Sequence, residues 1–359
     1  MLKVDEKLPL YQQIKEYFVN KIEAEEIANG ELLPSENEIV KNFNVSRHTV
    51  RQAFALLENE GYIKREQGRG TICLGKKKTH SNRTIAVVTT YISDYIFPHI
   101  INGIEDVLSS KGYTLSLAST NNNKDNEALF LQKFIDQKVA GMIIEPTKSA
   151  KNNPNLDYFL QMEQKNIKYI MLHATYPNIN SAFVVMDDIK GGYLATKYLL
   201  QLGHKNIAGI FKSDDIQGAK RQQGFINALK EYNIMPDDNL IGNYTTENMN
   251  YYPYQFTSYL INNNKPTAIV CYNDQIAMKV IDAIKDNGLK IPDDISIVGY
   301  DDSSFATASE VKLTTISHPK KEMGKQVANF LLDMLDKIDY KPRYTYEPEL
   351  IVRTSCRNI

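Results

Sequence analysis

Apolar positions change their spacing twice along this chain. From Pro9 to about Ala28, the residues Leu10, Ile14, Tyr17, Phe18 and Ile22 recur at three- and four-residue steps, which predicts a helix with one buried face. Gly30 and Pro34 end it. Ser35 followed by Glu38 is a capping box, so a second helix is predicted to run to about Phe43. Asn44 and Val45 make a short turn, and Ser46 caps a third helix with Val50, Ala53, Phe54 and Leu57 on one face. Gly61 ends that helix. Tyr62 to Arg65 and Thr71 to Cys73 then read as short strands around the turn Gln67 to Gly70, whose glycines accept positive φ.

From Ile85 onward the spacing changes to short continuous apolar runs. They are Ile85 to Val88, Leu115 to Leu117, Gly141 to Ile144, Tyr169 to Leu172, Ile207 to Phe211, Ala268 to Cys271 and Ile295 to Val298. Helical patterns such as Ile100 to Ser110 and Gln275 to Asp286 separate them. Apolar strands alternating with helices predict parallel sheets covered on both faces. Ligands of such sheets bind beyond the C-terminal ends of the strands. The residues found there are Tyr91, Asp94 and Tyr95, then Glu145, His173, Lys212, Asn273 and Asp274, and Asp301 and Asp302. Carboxylates, amides and cations bond hydroxyls in pairs, and flat rings stack on the C–H face of a sugar. Taken singly each is an ordinary polar loop residue; together they point to a polyol pocket.

Composition gives room for two or three compact units in 359 residues, 42% of them hydrophobic. The net charge of −1 hides a strong asymmetry. Residues 1–40 carry −5, residues 41–78 carry +6, and the remainder carries −2. In the basic stretch, Arg47, His48, Arg51 and Gln52 cluster at the N-terminal end of the third helix, the end that a recognition helix inserts into the major groove. Arginine forks onto guanine and glutamine onto adenine. Arg69 sits at the tip of the hairpin, small enough for the minor groove. A solvated basic face is the plain alternative, and the position of these groups favours DNA.

Catalytic patterns are missing from the sequence. There is no G-x-G-x-x-G after the first strand, no phosphate-binding Walker loop and no G-x-S-x-G elbow. The histidines have no metal-ligand spacing. Asp187-Asp188, Asp214-Asp215 and Asp301-Asp302 are neighbours in sequence, and such neighbours point in different directions. No catalytic residue, cofactor or metal is therefore expected, and the chain is not expected to be an enzyme. Cys73, Cys271 and Cys356 are odd in number and contain no C-x-x-C pair. No signal peptide or 18-residue apolar span is read, so a cytoplasmic protein with no membrane contact is expected.

Two resemblances sharpen this reading. Leu33-Pro34-Ser35-Glu36, Val45-Ser46-Arg47, Thr49-Val50-Arg51, Ala53, Leu57, Gly61 and Gly68 to Thr71 resemble the GntR-type winged helix-turn-helix. That family implies binding of double-stranded operator DNA as a dimer, through Glu36, Arg47, His48, Thr49, Arg51, Gln67, Arg69 and Gly70. Glu36 and Thr49 are the weaker members of this set, with a helix cap or support alone as the alternative for each. Asp187-Asp188 with Gly191-Gly192, Leu202 to Ile207, Arg221 to Phe225, Asn273-Asp274, Ile295 to Asp302, Leu313 to Ile316 and Gly324 resemble the LacI/GalR effector-binding domain. It implies a two-lobed, periplasmic-binding-protein-like α/β domain that dimerises. Arg221, Asn273 and Asp301 match its effector ligands most closely; Tyr95, Glu145, His173, Lys212 and His318 match more loosely. The expected layout is a winged helix-turn-helix (α+β) over 1–75, a linker over 76–84 whose Lys76 to Lys78 are either phosphate contacts or solvated, and the sensor over 85–359.

The pairing of these two modules is itself similar to a family of arabinose-responsive repressors. Ile92 to Pro98, Ser119 to Asn123, Glu145 to Ala150 and Glu347 to Ile351 carry that closer match. It implies a homodimeric repressor released by L-arabinose. The residues themselves say only polyol, and another pentose, a hexose or a purine stays open.

Overall fold

In the computed structural model, which describes residues 9–66, 68–75, 82–93, 95–308, 310–337 and 339–359, Pro9 precedes helix α1 (Leu10–Glu23). The helix stops short of the expected Ala28. Glu25 turns left-handed (φ 60°), and the N–H of Glu26 folds back onto the Lys21 carbonyl at 2.9 Å. This turns Ile27 back against the core. Helix α2 (Glu36–Phe43) has both halves of its capping box: Glu38 N–H to Ser35 Oγ at 3.4 Å and Ser35 N–H to Glu38 Oε2 at 2.8 Å. Asn44 ends it in a left-handed conformation (φ 51°), and Ser46 caps helix α3 (Arg47–Asn59).

Strands β1 (Ile63–Glu66) and β2 (Gly70–Cys73) pair as an antiparallel hairpin. A third segment joins it, which the turn-rich sequence around Gly30 conceals: Leu33 N–H reaches the Thr71 carbonyl at 2.8 Å. Ile14, Phe18, Ile22, Ile39, Val50, Phe54 and Leu57 form one core beneath these elements. Met1–Ser81 and Asn82–Ile359 are two compact units. Gln67, Asp94 and residues 76–81 of the expected linker lie outside the described residues. Asn82 and Thr84, expected in that linker, belong to the second unit. Asn82 donates to the Gln137 carbonyl at 2.9 Å, and Thr84 opens a strand.

The second unit has two lobes. Lobe 1 begins with β3 (Thr84–Thr89), α4 (Phe97–Ser110), β4 (Thr114–Ser119), α5 (Lys124–Asp136), β5 (Gly141–Ile144), α6 (Leu156–Gln164), β6 (Lys168–His173) and β7 (Ala182–Met186). The chain then crosses to lobe 2. This contains α7 (Asp188–Gln201), β8 (Ile207–Lys212), α8 (Ile216–Glu231), β9 (Ile241–Tyr244), α9 (Tyr252–Asn263), β10 (Ala268–Cys271), α10 (Asp274–Asp286), β11 (Ser296–Tyr300), α11 (Phe305–Ala308) and β12 (Thr314–Ile316). It returns through α12 (Lys320–Asp336) and β13 (Arg343–Tyr346) to lobe 1, then ends on β14 (Leu350–Ile351) in lobe 2. The sheet orders are β13-β7-β6-β5-β3-β4 and β14-β12-β11-β10-β8-β9, parallel except where β14 meets β12.

Glycines let one helix pair in each lobe approach to backbone contact. In lobe 1, a Cβ on Gly324 of α12 would lie 2.1 Å from the Ile100 carbonyl oxygen of α4. In lobe 2, a Cβ on Gly192 of α7 would lie 2.1 Å from the Arg221 carbonyl oxygen of α8. Strands β7, β9, β12, β13 and β14 are additions to the runs expected from sequence. Most are short or half-polar edge pieces, although Ala182 to Met186 is a continuous apolar run like those that were read. Because backbone atoms cannot yield as a flexible side chain does, Gly324→Ala should destabilise the protein by about 1–3 kcal/mol. Urea unfolding measures it, and an unchanged midpoint would show that the two helices slide apart freely.

Candidate functional site

On the first unit, the side chains expected at DNA lie on the outside of α3 and on the hairpin. Arg47 and His48 are exposed, and the Arg51 and Arg69 side chains are 61% and 70% exposed. Each arginine has a light protein partner. Arg47 Nε bonds Asn37 Oδ1 at 3.2 Å, Arg51 Nε bonds Glu36 Oε2 at 3.0 Å, and Arg69 Nη1 bonds Glu66 Oε2 at 3.3 Å. Glu36 also faces Arg65 at 3.8 Å. It acts here as an organiser of two arginines from the first turn of α2. Thr49 is engaged in capping, with its N–H 3.1 Å from Ser46 Oγ. Gly70, at φ 109°, opens β2 next to the Arg69 tip. Exposed ion pairs are worth about 0–1 kcal/mol, so Arg51 and Arg69 can be given up to another anion at little cost.

On the second unit, a cavity of about 380 Å³ opens between the lobes, where the C-terminal strand ends of both sheets meet. Tyr95, Glu145, His173, Lys212, Arg221, Asn273 and Asp301 line it together with Tyr91, Phe97, Asp215, Gln217, Tyr272 and Gln275. His318 is the one effector candidate outside this lining. It is buried on the crossover behind His173, with ring centroids 5.2 Å apart. Burial, and secondly His173, pushes the His318 pKa well down, so the ring is neutral.

Arg221 lies in the second turn of α8, and its side chain is 3% exposed. Its guanidinium stacks on the Tyr300 ring at 3.5 Å from the centroid and faces Tyr272 at 4.7 Å. Nε donates to Asp188 Oδ1 at 2.8 Å and Nη1 donates to the Tyr272 carbonyl at 2.8 Å. Nη2 is 3.7 Å from Asp301 Oδ1. Gly191 makes this possible, because a Cβ there would meet the Tyr300 hydroxyl at 2.3 Å. Burial lifts the Asp188 carboxyl to about 6 against the opposing pull of Arg221, which leaves it ionised at neutral pH.

Two further pairs complete the walls. Glu145 accepts from Thr90 N–H and Oγ1, both at 2.7 Å, and its other oxygen meets His173 Nδ1 at 2.9 Å. Burial alone would raise the Glu145 pKa; His173 and the Thr90 donors outweigh it, so the carboxylate is held ionised. Lys212 Nζ sits 3.1 Å from Asp215 Oδ2 and 3.4 Å from Asp214 Oδ1. Burial works against this ammonium, but Asp215 and Asp214 keep it charged. Asn273 is the N-cap of α10, where its Oδ1 accepts the Ile276 N–H at 3.0 Å. His173 Nε2 and Asp301 Oδ1 are buried without a hydrogen-bond partner among the described residues. Tyr95, His173 and Asp301 have φ values of 63°, 64° and 92°, a left-handed backbone that clusters at binding sites.

Sequence reading missed Asp188, Asp215, Gln217, Tyr272 and Gln275. Two of them are visible as members of acidic doublets. In the first doublet the neighbours do diverge: Asp187 caps α7 by accepting Lys190 N–H at 3.0 Å, while Asp188 turns to Arg221. No group of three or more His, Cys, Asp or Glu among the described residues could hold a metal ion.

Comparison with known proteins adds independent findings. The family model for bacterial regulatory proteins of the gntR family matches residues 10–72, and that for the periplasmic binding protein-like domain matches residues 196–356. The arabinose metabolism transcriptional repressor of Geobacillus stearothermophilus is 45% identical over 362 residues, which cover 99% of this chain and 100% of that protein. Its namesake from Halalkalibacterium halodurans is 44% identical over 362 residues and 96% of each chain. A solved LacI family transcriptional regulator from Enterococcus faecium, with bound ribose, is similar with a TM-score of 0.67 at 28% identity, across 77% of this chain and 99% of that one.

Removing one partner of a buried ion pair leaves the other uncompensated, which costs about 3–5 kcal/mol. Arg221→Ala should therefore lower stability by that order in chemical denaturation, and adding Asp188→Asn should restore part of the loss. Strictly additive losses would show that the pair is not coupled.

Proposed function

The chain belongs to the family of the arabinose metabolism transcriptional repressors, and we propose on that footing that it holds operator DNA as a homodimer and releases it when L-arabinose fills the cleft between its lobes. It is a DNA-binding regulator and not an enzyme, as its full-length relatives are transcriptional repressors. No helix among the described residues is long and apolar enough to cross a membrane, and the cytoplasm is the compartment where operator DNA is met.

One observation carries the sugar reading. Every charged group in the described lining of the cavity is already held by the protein: Glu145 by the Thr90 donors and the His173 ring, Lys212 by Asp215, and Arg221 by Asp188 and Asp301. A charged ligand would have to break one of these buried pairs. A neutral polyol does not. Its hydroxyls both donate and accept, so they suit His173 Nε2 and Asp301 Oδ1, while the Tyr91, Tyr95 and Phe97 rings cover its C–H face. The ribose of the solved Enterococcus faecium regulator is a neutral pentose too. Asn273, at the head of α10, supplies an amide to the same space.

At the DNA end, Arg47, His48 and Arg51 on α3 enter the major groove. Arg69 at the hairpin tip enters the minor groove, with Gly70 allowing close backbone approach. Glu36 and Thr49 support these side chains. Sugar that binds the lobes in one arrangement shifts the dimer toward a form whose two reading heads no longer fit two half-sites. To reduce operator occupancy a hundredfold, the sugar must favour that form by about 2.7 kcal/mol.

A gel-shift titration of the full chain on its operator tests the reading. Added L-arabinose should release the DNA, and unchanged binding would rule L-arabinose out as inducer. Arg51→Ala should weaken specific DNA binding by about 1–3 kcal/mol while leaving L-arabinose affinity at its original value. A parallel loss of both would contradict the assignment of the two tasks to two units.

A further inference from the structure

Strand β11 runs into three residues whose carbonyl oxygens are each taken by a side chain from lobe 1. Tyr95, in the loop between β3 and α4, donates its hydroxyl to the Tyr300 carbonyl at 2.9 Å and accepts the Asp274 N–H at 3.1 Å. Its ring stacks on Phe305 of lobe 2, with centroids 6.0 Å apart. Lys320, the first residue of α12, places Nζ 2.7 Å from the Asp301 carbonyl and 2.8 Å from the Asp302 carbonyl. A third bond, at 3.3 Å, ties it to the His318 carbonyl on the crossover. Lobe 2 itself holds the other groups of the same residues. Asp301 N–H reaches the Ile316 carbonyl at 2.8 Å, Asp302 N–H reaches Thr315 Oγ1 at 3.3 Å, and the Asp302 carboxylate takes Arg353 at 2.6 Å.

Asp301 and Asp302 both have positive φ, 92° and 43°. Non-glycine residues rarely adopt such a backbone, and it persists only where surrounding contacts over-determine it. Lobe 2 fixes the N–H groups and the Asp302 carboxylate, and the carbonyl contacts come from Tyr95 and Lys320 of lobe 1. Those carbonyl contacts depend on the lobes being together. Asp301 is also the cavity residue whose carboxylate lies 3.7 Å from the Arg221 guanidinium of the same lobe.

We propose that Tyr95 and Lys320 are positioning residues for effector binding: by gripping the carbonyls of residues 300–302 from lobe 1, they hold the Asp301 carboxylate toward the cavity only when the lobes close. This rests on the reading of the cleft as the sugar site. It gives Tyr95 a second role beside lining the cavity, because its hydroxyl serves the lobe contact. It also explains how a carboxylate on lobe 2 can report the position of lobe 1. Open lobes relax the strained turn and disarm Asp301; closed lobes arm it. Sugar affinity and lobe closure are then two readings of one equilibrium.

The test uses the full chain with Tyr95→Phe, which keeps the ring and its stack, and with Lys320→Met and Lys320→Arg. Hydrogen exchange of the peptide covering residues 300–303 is followed without ligand, and L-arabinose affinity by calorimetry. Tyr95→Phe and Lys320→Met should each speed exchange in that peptide and weaken L-arabinose by about fivefold or more. Lys320→Arg should recover part of both. Asp301→Asn should cost less affinity in the Lys320→Met background than alone. Exchange at the original rate in both variants overturns the proposal, as does full additivity with Asp301→Asn. Failure of the unsubstituted protein to bind L-arabinose would instead overturn the sugar assignment, and the exchange measurement, which needs no sugar, still decides whether the clamp exists.

Discussion

The Arg221 guanidinium is the point on which the sensor's architecture converges. It is a buried cation, and burying it is favourable only because Asp188 and the Tyr272 carbonyl take its N–H groups and two tyrosine rings cover its faces. Each partner comes from a different part of lobe 2. Asp188 opens α7 just after the chain crosses from lobe 1, Tyr272 follows β10 at the edge of the cavity, and Tyr300 ends β11. The glycines of α7 follow from the same constraint. Gly191 clears the Tyr300 ring and Gly192 clears the Arg221 backbone. Crossover, helix packing and cavity wall thus share one charge network, so a ligand that touches Arg221 or Asp301 acts on the joint between the lobes.

The two ends of the molecule use charge in opposite ways. In the cleft, carboxylates and cations are buried and fixed against each other, while His173 Nε2 and Asp301 Oδ1 are left without a hydrogen-bond partner among the described residues. On the winged unit, Arg51 and Arg69 are more than half exposed, and their partners Glu36 and Glu66 hold them weakly. Such pairs keep the arginines oriented yet exchangeable. The same residue type is structural in one place and exchangeable in the other, and burial decides which.

Much of this is legible in the amino-acid sequence alone. The capping signals and 3.6-residue spacing locate α2 and α3, and continuous apolar runs locate the central strands of both sheets. The residues just past those strands include Glu145, His173, Lys212, Asn273 and Asp301, because the C-terminal rim of a parallel sheet is fixed by topology. Three things stay hidden. Edge strands such as β13 carry polar residues and look like loops. Asp188 and Asp215 stand in doublets, and whether one member turns inward, as Asp188 does, or both, as Asp214 and Asp215 do around Lys212, is not shown by a doublet. The role of Tyr95 depends on contact between lobes some two hundred residues apart in sequence. Local pattern carries no information about that pairing, and the strain at Asp301 appears only in the backbone angles.

The central claim is that sugar in the cleft and DNA on the winged unit are linked through one equilibrium. Linkage is reciprocal, so the most direct measurement is L-arabinose affinity of the full chain, free and saturated with operator, at fixed salt. The account predicts that operator weakens L-arabinose by the same factor by which L-arabinose weakens operator. Equal sugar affinity in the two states would contradict it.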